Sequence, residues 1–478
     1  MLCLRIFSAT VVLLCCSACA TDYVTGKKTF ILVSEGKEMA MGREADPSIV
    51  AQFGLYDNKP LGAFIDGIGQ ETAKVSHRPG LEYTFRVVDS PVVNAFALPG
   101  GWVYFTRGIL AHFNSEDELA GVMGHEIGHV VARHGAEQMS KQQLAGIGLG
   151  LGTLVSKKVG EYGKLAQSGL NLIFLSYGRA QESESDRLGV EYSTKLGYDS
   201  HKMAAFFRTI GALSKKGGGS IPTFLSTHPD PGQREKTVHK LADEWRQKVT
   251  YSPRNTSRAD YLKRIEGIVY GDDPRQGFVE KDIFYHPELR FQFPVPAGWA
   301  FQNSPAAVQM MDQSKKGSIQ FSPTKGKTLS EAADAFVASP EISVISRTDR
   351  SINSLQALLV ESMLTSQQSE KLKIMSCFYQ KDGSIYVFHA FAAPADFETF
   401  RPTFRKVTEG FSPLTNQAAL NKKPNRIRIR TATRDEAFAA ALRRLGIAAA
   451  AHEELALLNG VGLQENIKRG FLIKVIAP

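Results

Sequence analysis

Residues 121–135 read GVMGHEIGHVVARHG, and within them His125 and His129 stand four apart with Glu126 after the first. In an α-helix each residue advances about 100°, so the two imidazoles lie about 40° apart on one face and can grip a single ion. Glu126 sits beside that face, able to reach a metal-bound water without being a ligand itself. Zinc suits such a set. Neutral imidazoles are good ligands, and the ion lowers the pKa of bound water towards ~7, so that Glu126 can take its proton. A helix is also signalled locally: Ser115 and Glu118 form a capping box, and Leu119, Val122, Met123 and Val130 supply an apolar face. The plain alternative is a helix with two exposed histidines.

The third ligand must come from elsewhere. His134 lies nine residues beyond His125, which on one continuous helix is about 180° round, so it is expected to face away and to serve as a structural hydrogen-bonding residue. YGRAQESESDRLGVEYSTKLGYD, residues 177–199, offers a better source. Glu182 and Asp186 are i and i+4 on a predicted helix and share a face. Glu182 can ligate the metal, and Asp186 can accept a hydrogen bond from the far nitrogen of a ligating histidine and orient it. Glu184, about 200° from Glu182, is expected to point away. An ordinary acidic surface face is the competing reading.

HEIGHVVARH followed downstream by Glu-x-x-x-Asp-Arg-Leu-Gly resembles the gluzincin family that contains HtpX, BepA and the CAAX prenyl proteases. The likeness extends through VTGKKTFILVSEGKEMAMGRE, NAFALPGGWVYFTRGIL and STHPDPGQRE, covering residues 24 to about 245. Within that family the soluble, exported, BepA-like branch is the nearest. The resemblance implies one Zn2+ per chain on His125, His129 and Glu182, with Glu126 as general base. It places His228 and Arg234 near the zinc as stabilisers of the oxyanion, or His228 as a fourth ligand that holds the enzyme latent. It also implies an edge strand at 102–106, including Trp102, Val103 and Tyr104, that pairs with an extended substrate, with Asn94 and Ala95 in the loop before it lining the cleft.

The N-terminus MLCLRIFSATVVLLCCSACATDY reads as a secretory signal over residues 1–19. CCSAC resembles a bacterial lipobox, which implies lipidation of Cys19. Four of the five cysteines lie in this region, so the exported body keeps Cys377 alone and no intramolecular disulfide. Beyond the signal there is no run of 18 apolar residues; LAGIGLGLGTLV at 144–155 comes nearest and is short and Gly-rich.

The fold class expected is multidomain α+β. Residues 24–270 form a mainly helical zincin-type metallopeptidase domain with a small β-sheet. Residues 275–415 mix strands with helices at 328–336 and 397–411, with a hairpin at Asp382-Gly383, and resemble α/β sandwiches of the PsbP or Mog-like type. Residues 424–478 read strand, two helices, strand; ELALLNG and IKRGFLIKVI resemble a LysM module, which implies contact with peptidoglycan. The net charge of +9 is spread out, and its densest cluster, KKPNRIRIRTATR, interleaves no stacking aromatics, so a nucleic-acid partner is not expected. These readings together predict a periplasmic, outer-membrane-anchored zinc endopeptidase acting on unfolded or misassembled envelope proteins. The competing class is a chaperone-like assembly factor tethered to peptidoglycan, and an intact Glu126 favours the enzyme.

Overall fold

The computed structural model describes residues 19–148, 177–216, 223–365 and 371–478. Residues 1–18 of the expected signal, and 149–155 of the Gly-rich run, lie outside the described residues. The chain divides into two compact units, Met1–Gly271 with Asn425–Pro478, and Asp272–Pro424.

The first unit begins with β1 (Cys19–Thr21) paired to β2 (Lys28–Phe30), then α1 (Glu35–Phe53) and α2 (Lys59–Lys74). Strands β3 (Thr84–Val88), β4 (Ala95–Leu98) and β5 (Trp102–Thr106) make a three-stranded sheet in the order β3-β5-β4. The tight β4–β5 turn uses Gly100 and Gly101, whose φ of 85° and 106° a side chain would resist. After α3 (Arg107–His112) comes α4 (Glu116–Val131), which carries the HEIGH stretch.

Ser115 starts α4 by accepting the Glu118 N–H at 3.2 Å, and three acidic residues in the first turn oppose the helix dipole. The Glu118 carboxylate turns back to the Asn114 N–H at 2.8 Å, one residue earlier than a standard capping box. From Glu118 to Val131 every residue is buried, so α4 has no solvent face. It is followed by α5 (His134–Gly148), α6 (Arg179–Lys195), α7 (His201–Lys216), α8 (Thr223–Thr227), α9 (Pro231–Lys248) and α10 (Arg258–Ile265).

Helices α4 and α6 touch backbone to backbone. A Cβ on Gly189 would lie 2.8 Å from the Gly121 carbonyl oxygen and 3.0 Å from the His125 nitrogen; one on Gly124 would lie 3.0 Å from the Gly189 Cα. Only glycine at these crossing points lets the acidic turn of α6 come level with the histidines of α4.

Residues 425–478 complete this unit. Strands Arg426–Thr431 and Leu472–Ala477 pair antiparallel, flanking helices Phe438–Arg444 and His452–Asn459. Ile427, Phe438, Leu455 and Val475 share one apolar core with Phe105, Leu119 and Tyr261. Lys474 is fully buried, and its Nζ donates to the carbonyls of Ala111 and Phe113 at 2.8 and 2.9 Å. The stretches expected to be separate modules therefore share a core.

The second unit is built on a seven-stranded antiparallel sheet in the order 342–352, 355–365, 371–381, 384–392, 317–324, 308–311, 300–303. Helix Pro394–Thr408 packs into an aromatic cluster with Phe293, Phe321, Phe388 and Phe411. Helix Leu329–Val337 covers Leu358, Val360 and Phe378. Asp382 and Gly383, with φ of 49° and 78°, form the hairpin turn between paired Lys381 and Ser384. No helix among the described residues is long and apolar enough to cross a membrane.

Candidate metal centre

One donor atom from each of His125, His129, Glu182 and His228 lies within 4.8 Å of the others, and all four side chains are buried. His125 and His129 come from α4, Glu182 from the first turn of α6, and His228 directly follows α8. His129 Nε2 stands 3.0 Å from His125 Nε2 and 3.4 Å from Glu182 Oε1. His228 Nδ1 stands 3.2 Å from His125 Nε2 and 3.0 Å from Glu182 Oε1.

This set fits zinc. Donors bonded at about 2.0–2.1 Å on tetrahedral corners are about 3.3 Å apart, close to these separations, and three imidazoles with a carboxylate are ordinary zinc donors. Glu126 adds a second mark: its Oε1 is buried with no hydrogen-bond partner among the described residues, and lies 3.6 Å from His228 Nε2. A buried polar atom left unpaired is costly unless a ligand or water meets it.

The surrounding contacts fix the donors. His125 Nδ1 faces Asp186 Oδ1 at 2.9 Å. Arg234, from α9, grips Asp186 through Nε and Nη2 at 2.8 and 2.7 Å and reaches Glu182 Oε2 through Nη1 at 3.0 Å. Its guanidinium lies 4.2 Å above the Phe207 ring. Tyr177 stacks on His129 and Phe224 on His228, with ring centroids 4.1 and 4.7 Å apart.

Burial raises the Glu126 carboxyl above its ordinary range, against the pull of His228 and His125. Burial also opposes ionisation of Glu182 and Asp186, but the charges beside them win. His228 and His129 hold Glu182 well below the usual carboxylate range, and Arg234 and His125 lower Asp186. Burial holds His129 well below the usual imidazole value, keeping it in the neutral form that ligates.

Three expectations change in detail. Strand β5 is the central strand: Trp102 and Val103 pair with Thr84 and Phe85 on one side, and with Leu98 and Ala97 on the other, while Tyr104 pairs with Arg86 and Phe96. Its backbone groups are occupied on both flanks, so Trp102, Val103 and Tyr104 cannot pair with a substrate strand. Within the sheet, the edge nearer the centre is that of β4, where Ala97, Leu98 and Pro99 line one small gap with His129 and Tyr177. Ala95 begins β4 and is buried, while Asn94 just before it keeps a buried Oδ1 without a partner among the described residues.

His134 is outside the donor cluster but not for the reason expected. The helix of His125 stops at Val131, Arg133 adopts a left-handed φ of 58°, and His134 opens a new helix. Arg234, expected to aim at an oxyanion, has its nitrogens turned to carboxylates and to the His228 carbonyl, which Nη1 meets at 3.4 Å. The rings of Tyr177, Phe207 and Phe224 escaped the sequence reading, since single aromatics outside any periodic pattern carry no signal of what they will stack on.

Residues 63–242 match the profile of Peptidase family M48. The chain is 36% identical over 166 residues to Mitochondrial metalloendopeptidase OMA1 of Arabidopsis thaliana, covering 35% of this chain and 33% of that protein. It is 29% identical over 252 residues to the Beta-barrel assembly-enhancing protease of Yersinia pestis, covering 50% of each. The chain thus spans half or less of the length of these relatives. Among solved structures, cyanobacterial PsbP (CyanoP) from Synechocystis is similar at 16% identity with a TM-score of 0.24, covering 27% of this chain and 91% of that one. All four donor residues lie inside residues 63–242, the segment that matches Peptidase family M48.

Proposed function

We propose that the protein is a zinc endopeptidase of the periplasm, lipid-anchored at Cys19 in the outer membrane, that cleaves unfolded or misassembled envelope proteins. The observation that carries the catalytic part is the buried, unpaired Glu126 Oε1 beside the four-donor cluster. A pure binding site would have no use for it. The envelope role is supported by the likeness, over half of this chain, to a relative named as a beta-barrel assembly-enhancing protease.

His125, His129 and Glu182 would hold the metal. When bound, zinc supplies a Lewis acid that polarises a carbonyl and makes water acidic near neutral pH. Glu126, raised by burial, is then poised to take a proton from water and return it to the leaving amine. An extended peptide added along the free edge of β4 brings its backbone past His129 with little demand on side-chain identity. That suits substrates recognised by being unfolded. His228, whose Nδ1 sits among the donors, closes the set at four and keeps the enzyme latent until it moves aside. Peptidoglycan contact through 424–478 would place the enzyme near the cell wall.

Purified protein is expected to hold about one zinc per chain and to cleave casein, with Glu126→Gln keeping zinc and losing cleavage. Equal cleavage by that variant would sink the mechanism. His228→Ala is expected to raise cleavage while retaining zinc; a fall would instead give His228 a part in the chemistry.

A further inference from the structure

His129 presents Nε2 to the donor cluster, and its other nitrogen, Nδ1, lies 3.0 Å from Nδ1 of His134. On the far side of that second ring, His134 Nε2 meets Glu184 Oε2 at 3.3 Å. We propose that His134 and Glu184 form a relay that fixes the tautomer and orientation of the zinc ligand His129, making His134 a positioning residue of the metal centre. The inference rests on the zinc reading above.

Only one arrangement of protons suits the chain of contacts. A metal on His129 Nε2 leaves the ring proton on Nδ1, which donates to His134. His134 must then be bare at Nδ1 and protonated at Nε2, where it donates to the Glu184 carboxylate. Each hydrogen bond thus dictates the next. Ligating histidines generally donate their second N–H to a carboxylate or carbonyl. His125 does so directly, to Asp186. Among the described residues, the group that meets His129 Nδ1 in this way is the imidazole of His134, which is 2% exposed. Ser185 Oγ, 3.4 Å from the same His134 nitrogen, is the other polar group at this point.

The backbone is bent to make the contact. On an unbroken helix, residues five apart are separated by about 140° and their side chains do not meet. The left-handed Arg133 turns the chain between them, and that residue is anchored through Nε to Glu38 Oε2 and through Nη2 to the Val33 carbonyl, both at 2.7 Å. Arg133 is thereby held in a conformation that a non-glycine residue adopts at a cost. On α6, one acidic turn then serves both ligand histidines. Glu182 is a donor, Asp186 meets His125, and Glu184 on the opposite side meets His134.

The test is zinc affinity of the full chain, measured by competition with a chromophoric chelator, with the visible spectrum of the Co2+-substituted protein as a second readout. His134→Ala is expected to weaken zinc binding about 10–100-fold and to shift the Co2+ bands. His134→Asn, whose Oδ1 can accept at the place of Nδ1, is expected to recover most of the affinity. Glu184→Gln, at a half-buried position, is expected to lose several-fold. A merely structural histidine would lower the melting temperature of the apoprotein and leave the affinity of folded protein unchanged, with Asn no better than Ala. Wild-type affinity in folded His134→Ala would overturn the relay; should that variant not fold, unchanged affinity in both His134→Asn and Glu184→Gln relative to a wild type that binds zinc, with an unshifted Co2+ spectrum in Glu184→Gln, would overturn it instead. A wild-type chain that binds no zinc would overturn the metal centre itself.

Discussion

His125 and Asp186 face one another across the contact of α4 and α6, Nδ1 to Oδ1 at 2.9 Å, and the same carboxylate holds Arg234 by two nitrogens. Asp186 therefore both orients a histidine of the donor cluster and balances a buried guanidinium. Asp186→Asn keeps an acceptor but loses the charge, leaving Arg234 short of a partner. Zinc affinity is expected to fall about 10–100-fold, and stability by about 3–5 kcal/mol, as for a broken buried pair. Chelator competition and denaturant melts would check both. Unchanged affinity would show that the carboxylate matters to the fold alone.

The close crossing of α4 and α6 gives a second test. Gly189→Ala would place a Cβ 2.8 Å from the Gly121 carbonyl, against backbone that cannot yield without moving the helices apart. The expected cost is about 1–3 kcal/mol, with weaker zinc binding because Glu182 and Asp186 ride on the displaced helix. Gly67→Ala in α2, where an added Cβ meets nothing within 4 Å, is the control. It is expected to stabilise by about 0.5–1 kcal/mol, as a helical glycine replaced by alanine does.

How much of this was legible depended on the range of the interactions. The pairing of His125 with His129, and of Glu182 with Asp186, follows from helix period alone, whereas joining both pairs in one site came from the family resemblance. Caps and turns were equally local: Ser115 and the Asp382-Gly383 hairpin sit where the sequence indicates. The order of β3, β5 and β4 was not local. Nothing in Trp102–Thr106 says that this strand inserts between β3 and β4, both earlier in the chain, so a central strand reads as an edge. His134 stays outside the donor cluster as expected, but the continuous helix assumed for it does not hold, for a related reason. The break at Arg133 is imposed by Glu38 and Val33, about a hundred residues upstream, and no glycine or proline marks it in the sequence.

His112 supplies a pH test. Burial pushes its pKa down from 6.5 to about 4, opposed by the hydrogen bond of Nδ1 to the Gly108 carbonyl and aided by the charge of Lys474. Between those values the unfolded chain binds a proton that the folded chain refuses. The contribution to stability is therefore full above pH 6.5 and falls as the pH drops towards 4, by about 3 kcal/mol in all. Denaturant melts at pH 7.5, 5.5 and 4.5 should show a shallower acid loss in His112→Phe than in wild type. Parallel curves would mean that His112 is protonated in the fold.

The last prediction concerns where the chain leaves and re-enters the first unit. Tyr270 donates its N–H to the Asn425 carbonyl at 2.8 Å, and Ile427 donates to Ile268 at 2.9 Å, so the two ends of the 272–424 segment are already adjacent within that unit. A segment entered and left at one point is an insertion, and its removal asks only for a short closure. Replacing 272–424 by a short Gly-Ser linker is expected to give a folded chain that still binds about one zinc. Truncation after residue 424 removes a similar boundary but a different content: Ile427, Phe438, Leu455 and Val475 leave the core, and the carbonyls of Ala111 and Phe113 lose the Lys474 Nζ donor. Those carbonyls lie just ahead of the helix that carries His125 and His129, so this truncation is expected to lose cooperative melting and zinc together. Circular dichroism melts and metal content of the two chains would decide; a stable, zinc-loaded truncation would show that 425–478 only decorates the core it shares.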